Sequence, residues 1–132
     1  GGLAVSLINP IPGELLDRKT ILRLKIEVGR RQKLGVAHFE EELRLIDAAL
    51  SNWLQKDADA SRQFFAEGEK GLAEVNQKLW HAEDEVRGTP TTDKNRLAEL
   101  AKLIPELNDH RAALVQRVNG LFRVAQAEKI YR

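Results

Sequence analysis

Glu14, Asp17, Glu69, Asn76, Glu83, Asn108 and Arg111 are the residues whose types and spacing could do chemistry. Each falls on an otherwise apolar helical line, where steps of three and four residues keep side chains on one face. The densest line runs through Leu72, Asn76, Leu79, Glu83 and Val86, with polar groups where a helix bundle wants leucine. Such a set suits three uses. Carboxylates such as Glu14, Asp17 and Glu83 offer the oxygen-only ligands that magnesium prefers. The Arg111 guanidinium with the Asn76 and Asn108 amides can hold an anionic or hydroxylated ligand, with Trp80 as an apolar wall. Alternatively the groups satisfy one another and fix helix register, as a single core asparagine does in a coiled coil. A guanidinium taken out of water needs a carboxylate, so Arg111 is expected to pair with Glu69, Glu14 or Asp17.

Other chemistries find no support. Cysteine is absent, which removes thiolate ligands and disulfides. His38, His81 and His110 stand alone, and the Glu-x-x-His pairs of di-iron bundles are missing. Neither a nucleophile–base pair, a glycine-rich phosphate loop nor a basic aromatic patch occurs. No metal or cofactor is therefore expected. Lys and Arg number 21 against 20 Asp and Glu, which argues against nucleic acid as a partner. No apolar run approaches the ~20 residues of a membrane span and no signal-peptide pattern is seen, so the expectation is a soluble cytoplasmic protein without membrane insertion.

Four helices have to position these groups. Leu3 to Ile8 followed by Asn9-Pro10-Ile11-Pro12-Gly13 reads as an extended arm over 1–12, since the prolines forbid regular helix. A first helix follows from Glu14 to about Arg31. Its stripe of Glu14, Asp17, Ile21, Leu24 and Val28 is widened by Leu15, Leu16, Leu22 and Ile26, so it should be buried on more than one side. Gln32 to Gly35 breaks the run. The second helix, about Val36 to Gln55, has the fully apolar seam Phe39, Leu43, Ile46, Leu50 and Trp53. Lys56 to Ser61 is a polar connection in which Asp57, Asp59 or Ser61 can cap a third helix that runs to about Arg87. Thr89-Pro90-Thr91-Thr92 is the clearest turn, with Thr91, Thr92 or Asp93 as caps, and its shortness implies an antiparallel hairpin.

In the fourth helix Leu97, Ala101, Ile104, Asn108, Arg111, Val115, Val118, Phe122 and Ala125 keep four-three spacing, and Leu100, Leu107, Leu114 and Leu121 form a parallel row. Pro105 should kink it. Without a break at Asn119-Gly120, about 37 residues would make a rod of roughly 55 Å. Its overhang bears Leu121, Phe122, Val124, Ile130 and Tyr131 and would call for a second copy. In a hairpin turning near residue 90, Arg111 lies level with Glu69 and Asn76 with Ile104.

Three stretches carry a resemblance. Gly13-Glu14-Leu15-Leu16-Asp17-Arg18-Lys19-Thr20-Ile21-Leu22-Arg23-Leu24-Lys25, then Val75-Asn76-Gln77-Lys78-Leu79-Trp80-His81-Ala82-Glu83-Asp84, then Leu107-Asn108-Asp109-His110-Arg111 resemble short bacterial proteins of unknown function. Those proteins have a GEL-D-TIL-K opening, an N-LW-ED-R centre and an LN--R close, and often occur near genes for sugar transfer to lipopolysaccharide. The resemblance implies that Glu14, Asp17, Thr20, Lys25, Asn76, Trp80, Glu83, Asp84, Arg87, Asn108 and Arg111 belong together. It supplies no activity, and it does not extend over Ser51 to Phe64. Glu14-x-x-Asp17 also matches one acidic motif of all-helical nucleoside triphosphate pyrophosphohydrolases, but Glu41-Glu42 lacks the third acid of the other.

The sequence therefore predicts an all-α, antiparallel four-helix bundle in a single domain, with an N-terminal arm and a long C-terminal helix. Its expected role is a non-catalytic binding or assembly module, a homodimer with an anionic or sugar-phosphate ligand, accessory to cell-envelope polysaccharide synthesis. The rival is a magnesium-dependent hydrolase of a nucleotide or sugar phosphate.

Overall fold

The computed structural model describes the backbone of residues 12–55 and 59–130 and the side chains of 12–52, 62–63 and 65–120. The arm over 1–11, Asp57 and the side chains of Trp53, Leu121, Phe122, Val124 and Ile130 lie outside the described residues, as does Tyr131. The chain is a four-helix bundle: α1 (Pro12–Arg31), α2 (Ala37–Gln55), α3 (Asp59–Gly88) and α4 (Lys94–Ile130). Among the described residues there is no strand, and no helix is long and apolar enough to cross a membrane.

α1 is the hub. It packs against all three other helices, whereas α2 rests on α1 and hardly reaches α3 or α4. This is why α1 has buried residues all round, including Leu15, Leu16, Leu22 and Ile26. Leu22 and Leu72 are 0% exposed, and each contributes roughly 1.5–3 kcal/mol by leaving water. They share a core with Ile46 and Leu50 of α2 and Val118 of α4.

Local rules set the helix ends. α1 opens at Pro12 rather than Glu14, because proline is well suited to a first helical position, where its missing N–H would have no partner. At the other end Leu34 N bonds Gly29 O at 2.8 Å and Lys33 N bonds Arg30 O at 3.1 Å, the two bonds of a Schellman cap. The left-handed residue in that cap is Lys33, at φ 58°, and not Gly35. Asp93 caps α4 by accepting from Arg96 N at 3.2 Å. Across the same turn Arg96 grips Glu85 through Nε and, at 2.6 Å, through Nη2. α4 continues through both Pro105 and Gly120 as one 37-residue helix.

Contacts between α3 and α4 pair Glu85 with Arg96 near the turn, then Gly71 with Leu114 and Gly68 with Val118. Arg111 is thus not level with Glu69. The seams drawn on the sequence hold in part: Phe65, Leu72, Asn76 and Leu79 of α3 and Leu97, Ile104, Arg111, Val115 and Val118 of α4 are buried or half-buried, and the departures fall at single positions. In α3 Phe65, Leu72, Val75, Leu79 and Ala82 are buried, with Gly68 half-buried between them, while Glu83 and Val86 are exposed. In α4 Leu97, Leu100, Ile104, Leu107, Arg111, Leu114 and Val118 face inward, while Ala101 and Asn108 are exposed. A Cβ on Gly68 would stand 2.8 Å from Val118 Cγ2, so the bare glycine lets the two helices approach.

Candidate functional site

The first turns of α1 bring a set of polar groups into the bundle at four-three spacing: Gly13, Asp17 and Thr20. Asn76 of α3, 4% exposed, donates its side-chain amide to Asp17 Oδ1 at 2.7 Å and to Thr20 Oγ1 at 2.8 Å. Thr20, itself 2% exposed, donates its hydroxyl to Asp17 O at 2.8 Å. Arg111 of α4 approaches Asp17 Oδ2 with Nε at 3.8 Å, an ion pair beyond hydrogen-bond range.

A second buried asparagine works one turn earlier. Asn119 Oδ1 accepts from Gly13 N at 2.7 Å, and Asn119 Nδ2 donates to Glu14 Oε2 at 2.9 Å. The first N–H groups of any helix lack intrahelical partners, and Ile11, which precedes α1, has no side-chain acceptor to offer. α4 therefore caps α1. The fit is close enough to demand glycine, since a Cβ at position 13 would lie 2.4 Å from Val115 O.

Several expectations are corrected here. Glu83 and Asn108 are exposed and take no part in the seam. Glu14 is exposed although it holds Asn119. Arg111 pairs with Asp17, but its side chain is 38% exposed and is not a buried guanidinium. Glu69 turns instead to Lys19 at 3.2 Å and Arg23 at 2.8 Å. Lys19 also reaches Asp47 at 2.9 Å, so it ties α1 to α2 and α3 together. The trio suggested for magnesium, Glu14, Asp17 and Glu83, is not brought together, and among the described residues no three His, Asp or Glu side chains form a group that could hold a metal ion.

The remaining residues of the resemblance collect elsewhere. Because α2 leans on α1 alone, a cleft of about 710 Å³ stays open between the α1–α2 connection and α3. Lys25, Trp80, Asp84 and Arg87 line it, along with His38, Phe39, Gln77 and His81. Trp80 is half-buried there. Lys25 Nζ stands 5.4 Å from the centre of the Phe39 ring, within the range of a cation–π contact. The His38 and Phe39 rings lie 3.8 Å apart, tilted by 42°. Beside the cleft, Arg18 holds Glu42 through Nε at 2.6 Å and Nη2 at 3.1 Å. That bidentate bond, with smaller help from Lys25 and His38, keeps the Glu42 carboxyl below its usual range.

Known protein families, characterised proteins and solved structures offer no match to this chain.

Of the residues grouped by resemblance, Asp17, Thr20 and Asn76 form a satisfied seam with Arg111 at its edge, Lys25, Trp80, Asp84 and Arg87 line an open cleft, and Glu14, Glu83 and Asn108 are exposed. Asn119 was missed because Asn119-Gly120 reads as a turn. Gln77 and His81 had a usable signal: they share a helical face with Trp80 and Asp84, a face distinct from the apolar seam.

Proposed function

We propose that this chain is a non-catalytic binding and assembly module, with the satisfied polar seam as its organising core and the Lys25–Trp80 cleft as its ligand face. One observation supports this most: among the described residues, no buried side-chain nitrogen or oxygen lacks a hydrogen-bond partner. A group that moves protons or attacks substrate must present a proton or lone pair to it. In the seam the hydrogen bonds of Asn76 and Thr20 are turned on α1. The dispersal of Glu14, Asp17 and Glu83 weighs against a magnesium-dependent hydrolase. The resemblance supports a setting accessory to cell-envelope polysaccharide synthesis, and the cationic, aromatic lining of the cleft supports an anionic ligand. Assembly is read as a homodimer through residues 1–12 or the end of α4.

The experiment is a melting scan with magnesium and a panel of nucleotides and sugar phosphates, run beside an assay for released phosphate. A binding module melts higher with its ligand, by the linkage between binding and stability, and releases no phosphate. Turnover that disappears in Asp17→Asn overturns the reading. Light scattering after gel filtration reads the mass, and a monomer at all concentrations removes the homodimer.

A further inference from the structure

We infer that the cleft takes a phosphate monoester carried on a ring-shaped organic body, with Lys25 anchoring the phosphate and Trp80 forming the platform for the ring. This rests on the binding-module reading and adds the ligand class to it. The cations of α1 carry the argument. Arg18, Lys19, Arg23, Arg30 and Arg31 each have a carboxylate partner within 4 Å. Lys25 alone among them has an aromatic face in place of a carboxylate. The carboxylate that senses it through space, Glu42, is already held bidentate by Arg18. A half-buried lysine at the wall of a cleft, with no carboxylate ion pair among the described residues, offers a seat for an anion from outside.

The other donors select the kind of anion. His38 and His81 line the same cleft, and each can offer an N–H; the Arg87 guanidinium there is shared with Asp84 at 3.5 Å. A phosphate monoester has three terminal oxygens to spread over several donors, where a carboxylate has two. The body of the ligand is chosen by α3. Trp80 supplies a flat apolar wall, and Gln77 and Asp84, close to it on the same helix, can hydrogen-bond ring hydroxyls. Asp84 carries its charge at the Arg87 end of the cleft, paired with that guanidinium at 3.5 Å, which leaves Lys25 as the cation without a carboxylate partner among those of α1 and the seat for the phosphate. A volume of about 710 Å³ lies within the usual range of small-molecule sites. Sugar phosphates and nucleoside monophosphates share this chemistry.

The chain has two tryptophans, so Trp53→Phe leaves Trp80 as the single fluorescent reporter. That variant is titrated with glucose 1-phosphate, adenosine monophosphate, inorganic phosphate and glucose. Saturable change with one of the phosphorylated rings is expected, with weaker binding of inorganic phosphate and none of glucose; the tighter of the two rings identifies the source. Lys25→Gln should weaken binding about tenfold or more, while Lys70→Gln, at an exposed site on α3, should not. If Trp53→Phe does not fold, melting of the full chain with the same probes gives the answer. No response to either phosphorylated ring, or undiminished binding by Lys25→Gln, overturns the inference. Such a failure without phosphate release leaves the non-catalytic reading standing; phosphate release overturns that reading separately.

Discussion

The side-chain amide of Asn76 donates to Asp17 Oδ1 at 2.7 Å, joining α3 to α1 across 59 positions of sequence. Its other hydrogen goes to Thr20 Oγ1 at 2.8 Å, one turn further along α1. Sliding α1 by one residue would rotate both acceptors by about 100° away from the amide. Leucines in the same seam would turn by the same angle, but apolar contacts are less directional and can repack. The hydrogen bonds could not, and in this sense two polar atoms select the register that the apolar contacts stabilise.

Asn76→Ala should therefore cost about 2 kcal/mol in urea unfolding at neutral pH, since the buried Thr20 hydroxyl and the Asp17 carboxylate lose a donor. Asn76→Asp should cost more, because it sets a second carboxylate against Asp17. Stability within a few tenths of a kcal/mol of wild type in both would show that the amide is dispensable.

Gly13→Ala tests the capping of α1 by α4. Alanine favours a helix interior over glycine by roughly 1 kcal/mol, so a gain is the ordinary expectation. Here the added Cβ would stand 2.4 Å from Val115 O and 2.8 Å from Asn119 Oδ1, and backbone cannot step aside as a side-chain tip can. A net loss of about 1–3 kcal/mol is expected. Asn119→Ala should lose a similar amount, roughly 0.5–2 kcal/mol as for a local helix cap. Thermal melting of both variants checks the pair.

Lys33→Gly runs the other way. A lysine in the left-handed region is strained by about 1 kcal/mol or more, because its Cβ crowds the following carbonyl. Glycine removes that crowding and keeps the Leu34 N to Gly29 O bond. Greater freedom in the unfolded chain offsets part of the gain. A rise of about 0.5–1 kcal/mol is expected, and an unchanged melting temperature would place the strain elsewhere.

Helix number, the two short turns and a cap at Thr91, Thr92 or Asp93 were legible in the sequence because each is written in local spacing and local chemistry; the structure selects Asp93. The faces were legible in part. On α3 Phe65, Leu72, Asn76 and Leu79 are buried as their spacing implies, but Val75 and Ala82 turn inward in place of Glu83 and Val86, and small residues carry little weight when large apolar side chains are counted. Yet Gly68 is where Val118 enters. On α4 the inner face draws on both rows, Ile104, Arg111, Val115 and Val118 beside Leu100, Leu107 and Leu114, and Ala101 and Asn108 turn outward. The roles of Asn119 and Lys33 were not legible, for a shared reason. A helix-breaking signal beside a neighbouring helix, or a cap closed by an unexpected residue, is decided by contacts that local propensity does not contain.

Acid should loosen α2 from α1 first, at the Arg18–Glu42 bond. The hydrogen bonds from Arg18 hold the Glu42 carboxyl below its ordinary value, and those from Arg44 and Arg96 do the same for Glu41 and Glu85. A carboxyl whose folded pKa is depressed contributes stability above the unfolded value, near 4.5, and that contribution disappears as pH falls through the folded value. Stability should therefore be flat in this respect at neutral pH and decline below about pH 4.5. Glu41 and Glu85 belong to exposed pairs, which are worth little; Glu42 has a side chain only 22% exposed and joins two helices that share few other polar contacts. Arg18→Met keeps much of the stem that packs on the bundle and removes the charge, so its urea midpoint should fall less between pH 6 and pH 4 than that of wild type, and Arg44→Met should behave as wild type. Equal acid slopes in all three proteins would show that Glu42 does not set the acid limit of the fold.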